Sequence, residues 1–202
     1  LSSAASDVYK RQYRNSVQTP AASMIKVFIL AAAYEDIRDG KLSLTETFTL
    51  TDKNVVAGSG VLQGMPKGTT VTVKKALDEM IIHSDNTATN LMIDRLGMDR
   101  VNRYLKEHGY KDTTLRRKMM DFDAAKKGAE NMTTVRDVGL LFKRLYQGKC
   151  VSKDLDAQML AIYKAQVDTD MLPDKLPKGT VVAHKTGEVR DLRPVSYTHL
   201  TL

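Results

Sequence analysis

The 202-residue chain has no tryptophan and one cysteine, Cys150. A single thiol excludes an internal disulfide framework and any zinc site built from cysteines, and Cys150 reads as a small buried hydrophobe. No apolar run approaches the ~20 residues that a membrane-spanning helix needs. His83 and His184 lack any compact histidine and carboxylate spacing around them, so neither a metal nor another cofactor is expected. Lys and Arg number 31 against 24 Asp and Glu, a net charge of +7 interspersed along the chain. Aromatics are 6% of the residues, and no basic stripe interleaves with them, so no nucleic-acid partner is expected. The balance permits a small anionic partner without naming one. Internal repeats and low-complexity tracts are also lacking.

The two ends differ from the interior. Leu1 to Gln12 (LSSAASDVYKRQ) has neither the apolar core of a signal peptide nor a helix or strand period, and Pro194 to Leu202 (PVSYTHLTL) is equally patternless. Both read as non-native flanks resembling translated adaptor sequence, which leaves residues 13 to 193 as the native fragment.

What is present is mostly helical periodicity. Met24, Val27, Phe28, Leu30, Ala31 and Tyr34 recur at helical spacing from Ser23 to a stop at Gly40, which predicts a buried helix. Thr45 to Thr51 alternates as a short strand, and Gly58 to Gly68 reads as a loop. Thr72 caps a helix carrying Leu77, Met80 and Ile81. Ser84-Asp85-Asn86 breaks it from the next, which ends at Gly97, and a further helix closes at Gly109. Tyr110 to Met132 loses the pattern for about twenty residues, a length usually retained for function, and reads as a loop over a cleft. Thr134 to Tyr146 and Ser152 to Lys164 are helical again. Thr180 to Ala183 is a strand that ends in Lys185-Thr186-Gly187.

Three short motifs carry chemistry. Ser23-Met24-Ile25-Lys26 is an S-x-x-K at a helix start, which places a hydroxyl and an amine on one face, one turn apart. A serine hydroxyl needs a base to take its proton, and a lysine serves when burial or neighbouring positive charge lowers its pKa. Alone, this motif arises by chance about once in two hundred residues. Ser84-Asp85-Asn86 is equally readable as a helix-capping loop, and Lys185-Thr186-Gly187 as a turn. All three in this order arise in about one chain in a thousand, which favours the functional reading.

In this order, S-x-x-K, S-D-N and K-T-G resemble the class A β-lactamase and penicillin-binding serine hydrolase family. Gly58-Ser59-Gly60, Thr87 to Leu91 after the S-D-N, and Arg95-Leu96-Gly97 extend the resemblance from Thr19 to Glu188. The resemblance implies an α/β (α+β) serine β-lactamase and D-alanyl-peptidase-like fold, an antiparallel sheet flanked by helices, incomplete here. It makes Ser23 the acylated nucleophile, Lys26 a proton acceptor and Ser84 a shuttle to the departing ring nitrogen. Asn86 hydrogen-bonds the substrate's side-chain amide, while Lys185 and Thr186, ahead of Gly187, bind its carboxylate. The backbone N–H groups of Ser23 and Glu188 form the oxyanion hole, and Asp85 holds the loop turn. The implied partner is a β-lactam or a cell-wall peptide, acted on by an extracytoplasmic monomer.

The family's deacylating glutamate and its companion asparagine are not matched. Anchoring on Leu115 and Arg117 and on Asn131 to Thr134 puts Met119 and Asp123 at those positions. A thioether cannot act as a general base. Asp121 and Asp123 are the nearest carboxylates, so acylation with slow turnover is expected. Two other readings remain: a D-alanyl-D-alanine peptidase-like acyl enzyme, and a non-catalytic binding module that retains the fold. Strands and helices expected beyond both ends are missing, which predicts exposed sheet edges and poor folding.

Overall fold

The computed structural model describes residues 16–169 and 173–188, and the backbone of 195–199. A two-residue strand, β1 (Thr19–Pro20), leads into a 3₁₀ turn at Ala22–Met24 and then α1 (Ile25–Arg38). β2 (Thr47–Thr49) and β3 (Thr70–Thr72) pair antiparallel. Three helices follow, α2 (Val73–Ile82), α3 (Asn86–Leu96) and α4 (Met98–Glu107). The long loop carries the short α5 (Phe122–Lys126) and ends at β4 (Met132–Thr133), which pairs antiparallel with β1. α6 (Val135–Tyr146) and α7 (Lys153–Lys164) precede β5 (Val182–Thr186) and β6 (Val195–His199).

α1 is apolar on every side from Val27 to Ala33, and each residue from Ile25 to Asp36 is buried, Lys26, Glu35 and Asp36 included. A helix of that composition has to lie inside the molecule. It packs on α3, α4, α2 and α7, so Lys26 in its first turn sits deep between other elements, with Ser23 half-buried in the turn just before it. The surrounding helices start where the sequence predicts: Thr72, Asp85, Thr134 and Ser152 each cap a helix through the side-chain oxygen. Each such cap contributes on the order of 1 kcal/mol.

All five residues of β5 are buried, and the strand packs on α7. Its antiparallel partner is β6, with Val182 opposite His199 and Thr186 opposite Val195. The sequence reading gave 194–202 no pattern, whereas the backbone of 195–199 is a strand. The peptide groups of a buried strand need hydrogen-bond partners, and a neighbouring strand supplies them to a segment with little period of its own.

The loop between Tyr110 and Met132 is tied down at both ends and in the middle. Asn102 bonds both backbone groups of Leu115, and Asn131 Oδ1 accepts from Arg116 and Arg117 N–H. Ala21 N–H donates to Asn131 O at 2.7 Å, joining the loop to the residue two before Ser23.

Candidate active site

α1, the α2–α3 junction and β5 deliver the three motifs to one place. Lys26 and Lys185 are both fully buried, while Ser23 and Ser84 are half-buried. Lys26 Nζ donates to the Ser84 carbonyl at 2.6 Å and to Asn86 Oδ1 at 2.9 Å, and lies 3.1 Å from Ser84 Oγ. Lys185 Nζ reaches the same Oγ at 3.0 Å and its neighbour's Thr186 carbonyl at 2.6 Å. Ser84 Oγ therefore bridges two amines contributed by a helix and a strand.

Burial, and then the nearby Lys185, hold Lys26 well below the ordinary lysine pKa, with Asp85 opposing. Burial pushes Lys185 down to about 7, with Asp168 opposing. A neutral Lys26 has two N–H groups for the Ser84 and Asn86 oxygens and a lone pair for the Ser84 hydroxyl proton. A charged Lys185 then donates to Ser84 Oγ from the other side. This gives a continuous hydrogen-bonded path between the amines. No hydrogen bond joins Lys26 to Ser23 among the described residues; such bonds commonly form only once substrate is bound.

Backbone strain collects at this site. Among the described non-glycine residues, positive φ occurs at Ala22 (45°), Ser84 (52°) and Met120 (64°). These are the residue before Ser23, Ser84 itself, and the residue after Met119. Such conformations cost about 1–3 kcal/mol each and persist only where surrounding structure over-determines them. Part of that surround is the glycine loop. A Cβ on Gly58 would lie 2.6 Å from Asn86 Nδ2, and one on Gly60 would lie 2.2 Å from the Asp85 carboxylate. Asp85 itself is structural, as the sequence implies: Oδ1 accepts from Ala88 N–H and Oδ2 from Leu62 N–H, both at 2.8 Å.

The loop residues separate. Asn90 clasps Met119, accepting its N–H at 2.8 Å and donating to its carbonyl at 3.0 Å, which leaves the Met119 side chain in the core. Asp121 caps α5 by accepting Ala124 N–H at 2.9 Å, and Asp123 is exposed beside Lys126. Both carboxylates thus serve α5 or solvent and lie outside the Lys26–Ser84–Lys185 network. Glu188 is exposed just past the end of β5, and Gly187 is buried.

Sequence reasoning passed over Asp168. Its Oδ2 accepts the Thr186 hydroxyl at 2.6 Å, and its carbonyl lies 2.7 Å from His184 Nε2. It lines a cleft of about 330 Å³ whose walls include Ser59, His83 and Ser84. No cluster of three or more His, Cys, Asp or Glu able to hold a metal occurs among the described residues. No helix among them is long and apolar enough to cross a membrane.

Comparison with known proteins places this geometry in context. The model of a family described as "Beta-lactamase enzyme family" matches residues 5–194. Beta-lactamase VEB-1 of Pseudomonas aeruginosa is 25% identical over 181 residues, covering 86% of this chain and 60% of that protein. A beta-lactamase structure from Sphaerobacter thermophilus superposes with a TM-score of 0.82 at 29% identity, covering 89% of this chain and 69% of that one. A point mutant of PBP-A, solved as an acyl-enzyme complex with penicillin G, superposes with a TM-score of 0.80 at 31% identity, covering 88% of this chain and 66% of that one. The chain thus spans about 60% of the length of curated relatives such as VEB-1.

Proposed function

The chain belongs to the beta-lactamase enzyme family, and on that premise we propose that it forms an acyl-serine intermediate at Ser23, opens β-lactam amides, and releases the acyl group slowly. The observation that carries this reading is the convergence of Lys26 and Lys185 on Ser84 Oγ, at 3.1 and 3.0 Å. Ser23 Oγ attacks the amide carbon, and neutral Lys26 takes its proton. The C–N bond breaks, and Ser84 passes a proton to the departing nitrogen while drawing one from Lys26. The backbone N–H groups of Ser23 and Glu188 steady the oxyanion. Asn86 Nδ2 faces the substrate's side-chain amide, and Lys185 and Thr186 face the group beside the scissile bond. We read residues 13–193 as part of a longer domain that acts outside the cytoplasm as a monomer. The chain's share of its relatives' length supports the longer domain.

Slow release follows from the loop. Met119 offers a thioether, Asp121 and Asp123 are committed to α5 and solvent, and Glu130 pairs with Arg117, so none of these three carboxylates is offered to the network as a base for water. The same observation favours a second reading, a D-alanyl-D-alanine peptidase-like acyl enzyme whose natural donor is cell-wall peptide.

Intact-protein mass spectrometry after penicillin exposure tests both. A persistent adduct on Ser23, absent in Ser23→Ala, supports acylation with slow release. Opened drug with free enzyme at many turnovers per second would refute slow release. No adduct and no opened drug would leave a non-catalytic binding module that retains the fold.

A further inference from the structure

A cleft of about 490 Å³ opens between the end of α4 and the segment 110–116, and it shares no described lining residue with the cleft beside Ser84. Its floor is apolar, with Leu105, Tyr110 and Leu115 all buried. Around it stand three exposed cations, Lys106, Lys111 and Arg116, and no acidic residue among the described residues lines it. The side chains of these cations make no hydrogen bond or ion pair with another described residue. The next two cations along the chain are paired, Arg117 with Glu130 at 2.7 Å and Lys118 with Asp94 at 2.5 Å.

Two polar side chains on the wall are committed within the fold. Asn102 accepts the Leu115 N–H at 2.9 Å and donates to its carbonyl at 2.8 Å, and the Thr113 hydroxyl donates to Asp137 Oδ2 at 2.8 Å. Thr114 differs. Its backbone N–H and carbonyl bond Met132 at 2.9 and 3.1 Å, but its hydroxyl is buried and has no hydrogen-bond partner among the described residues. A buried hydroxyl in that state is unfavourable, and a ligand atom that accepts its proton relieves it.

The cleft therefore presents unpaired positive charge and a spare hydroxyl proton to an acceptor of negative charge. A carboxylate brings one charge and two oxygens. A phosphate monoester brings about 1.5 to 2 negative charges and three oxygens at neutral pH, the better match to three cations. Arg116 can hold two of those oxygens at once. The volume is ordinary for a small-molecule site. We propose that this cleft is a second binding site, separate from the Ser23 network, for a phosphate monoester with an organic body. The site stands whether or not Ser23 is acylated.

The test titrates the full chain with phenyl phosphate and with benzoate by calorimetry. Co-sedimentation is measured with vesicles of phosphatidylcholine containing phosphatidic acid or, at matched charge, phosphatidylglycerol. Saturable binding of phenyl phosphate is expected, roughly tenfold tighter than that of benzoate. Lys111→Gln with Arg116→Gln is expected to weaken it by roughly tenfold or more, and Thr114→Val by roughly threefold. Lys185→Met, in the other cleft, is expected to leave phosphate binding intact. Thermal melts of each variant ensure that lost binding is read in folded protein. Sedimentation that requires phosphatidic acid and the same residues assigns the phosphate to a lipid headgroup, and its absence beside bound phenyl phosphate assigns it to a soluble ester. Absence of binding to phenyl phosphate and to vesicles alike overturns the proposal. So does benzoate bound as tightly as the phosphate, binding unchanged in the double variant or in Thr114→Val, or binding lost in Lys185→Met.

Discussion

Lys26 and Lys185 meet at one oxygen atom: Ser84 Oγ lies 3.1 Å from the first amine and 3.0 Å from the second. Two fully buried amines on one hydroxyl are compatible with folding when at least one of them sheds its proton. The site is therefore basic at neutral pH because it is buried, and the predictions below follow from that relationship and its supports.

Replacing Lys26 by Met removes the proton acceptor while keeping the volume. Acylation of Ser23 is expected to fall by roughly 10²–10⁴-fold. The melting temperature should become less dependent on pH, because one buried amine with a lowered pKa is gone. Mass spectrometry checks the rate, and thermal melts across pH check the second effect. A merely structural lysine would spare the rate.

Stability should rise with pH above neutrality. Lys185 titrates at about 7 in the folded chain and near its ordinary 10.5 when unfolded, so between these values the unfolded state binds the extra proton. The penalty is fully present below pH 7 and is relieved as pH climbs. Lys26 shifts in the same direction. Each neutral buried lysine contributes up to about 1.4 kcal/mol per pH unit, or roughly 3 °C in melting temperature for a domain of this size. Melts from pH 7 to 8.5 measure it. Cys150, pushed up to about 11 by burial, opposes the trend only beyond that window.

Asp85→Ala is expected to cost about 2–4 kcal/mol, the sum of a lost helix cap and an unsatisfied buried Leu62 N–H. Gly60→Ala should be comparably harmful, since its Cβ would lie 2.5 Å from the Asp85 backbone. Denaturant titration of both variants measures the loss. Their Ser23 acylation should fall with them, because Ser84 directly precedes Asp85.

Met119→Glu introduces a carboxyl group where the loop is clamped by Asn90. The penicillin adduct on Ser23 is expected to shorten in lifetime by roughly 10-fold or more, with the rate of its formation little changed. Asp121→Asn with Asp123→Asn is expected to leave both rates unaltered. Time-resolved mass spectra of the adduct distinguish the two outcomes.

Much of the frame was legible beforehand, because helix caps and apolar periodicity are local properties. Thr72, Asp85, Thr134 and Ser152 cap where expected, and the apolar run after Ser23 forms the buried helix it predicts. The two loop carboxylates were legible only as charges. That Asp121 turns to cap a short helix depends on the register of α5 against the loop, which no spacing rule supplies. Asp168 was invisible because it belongs to no motif; its role comes from Thr186, eighteen residues away and brought beside it by β5.

The sequence alone determined which chemical groups were available, a serine one turn from a lysine, a second serine at a helix junction and a lysine at a strand end, and it determined the local elements that carry them. Tertiary structure alone decided that Lys26 and Lys185 share one hydroxyl, that both are dry enough to titrate far from water, and that a carboxylate holds the Thr186 proton. Those properties depend on burial and on distances between segments 58 and 101 residues apart, and long-range packing sets them where local propensity cannot.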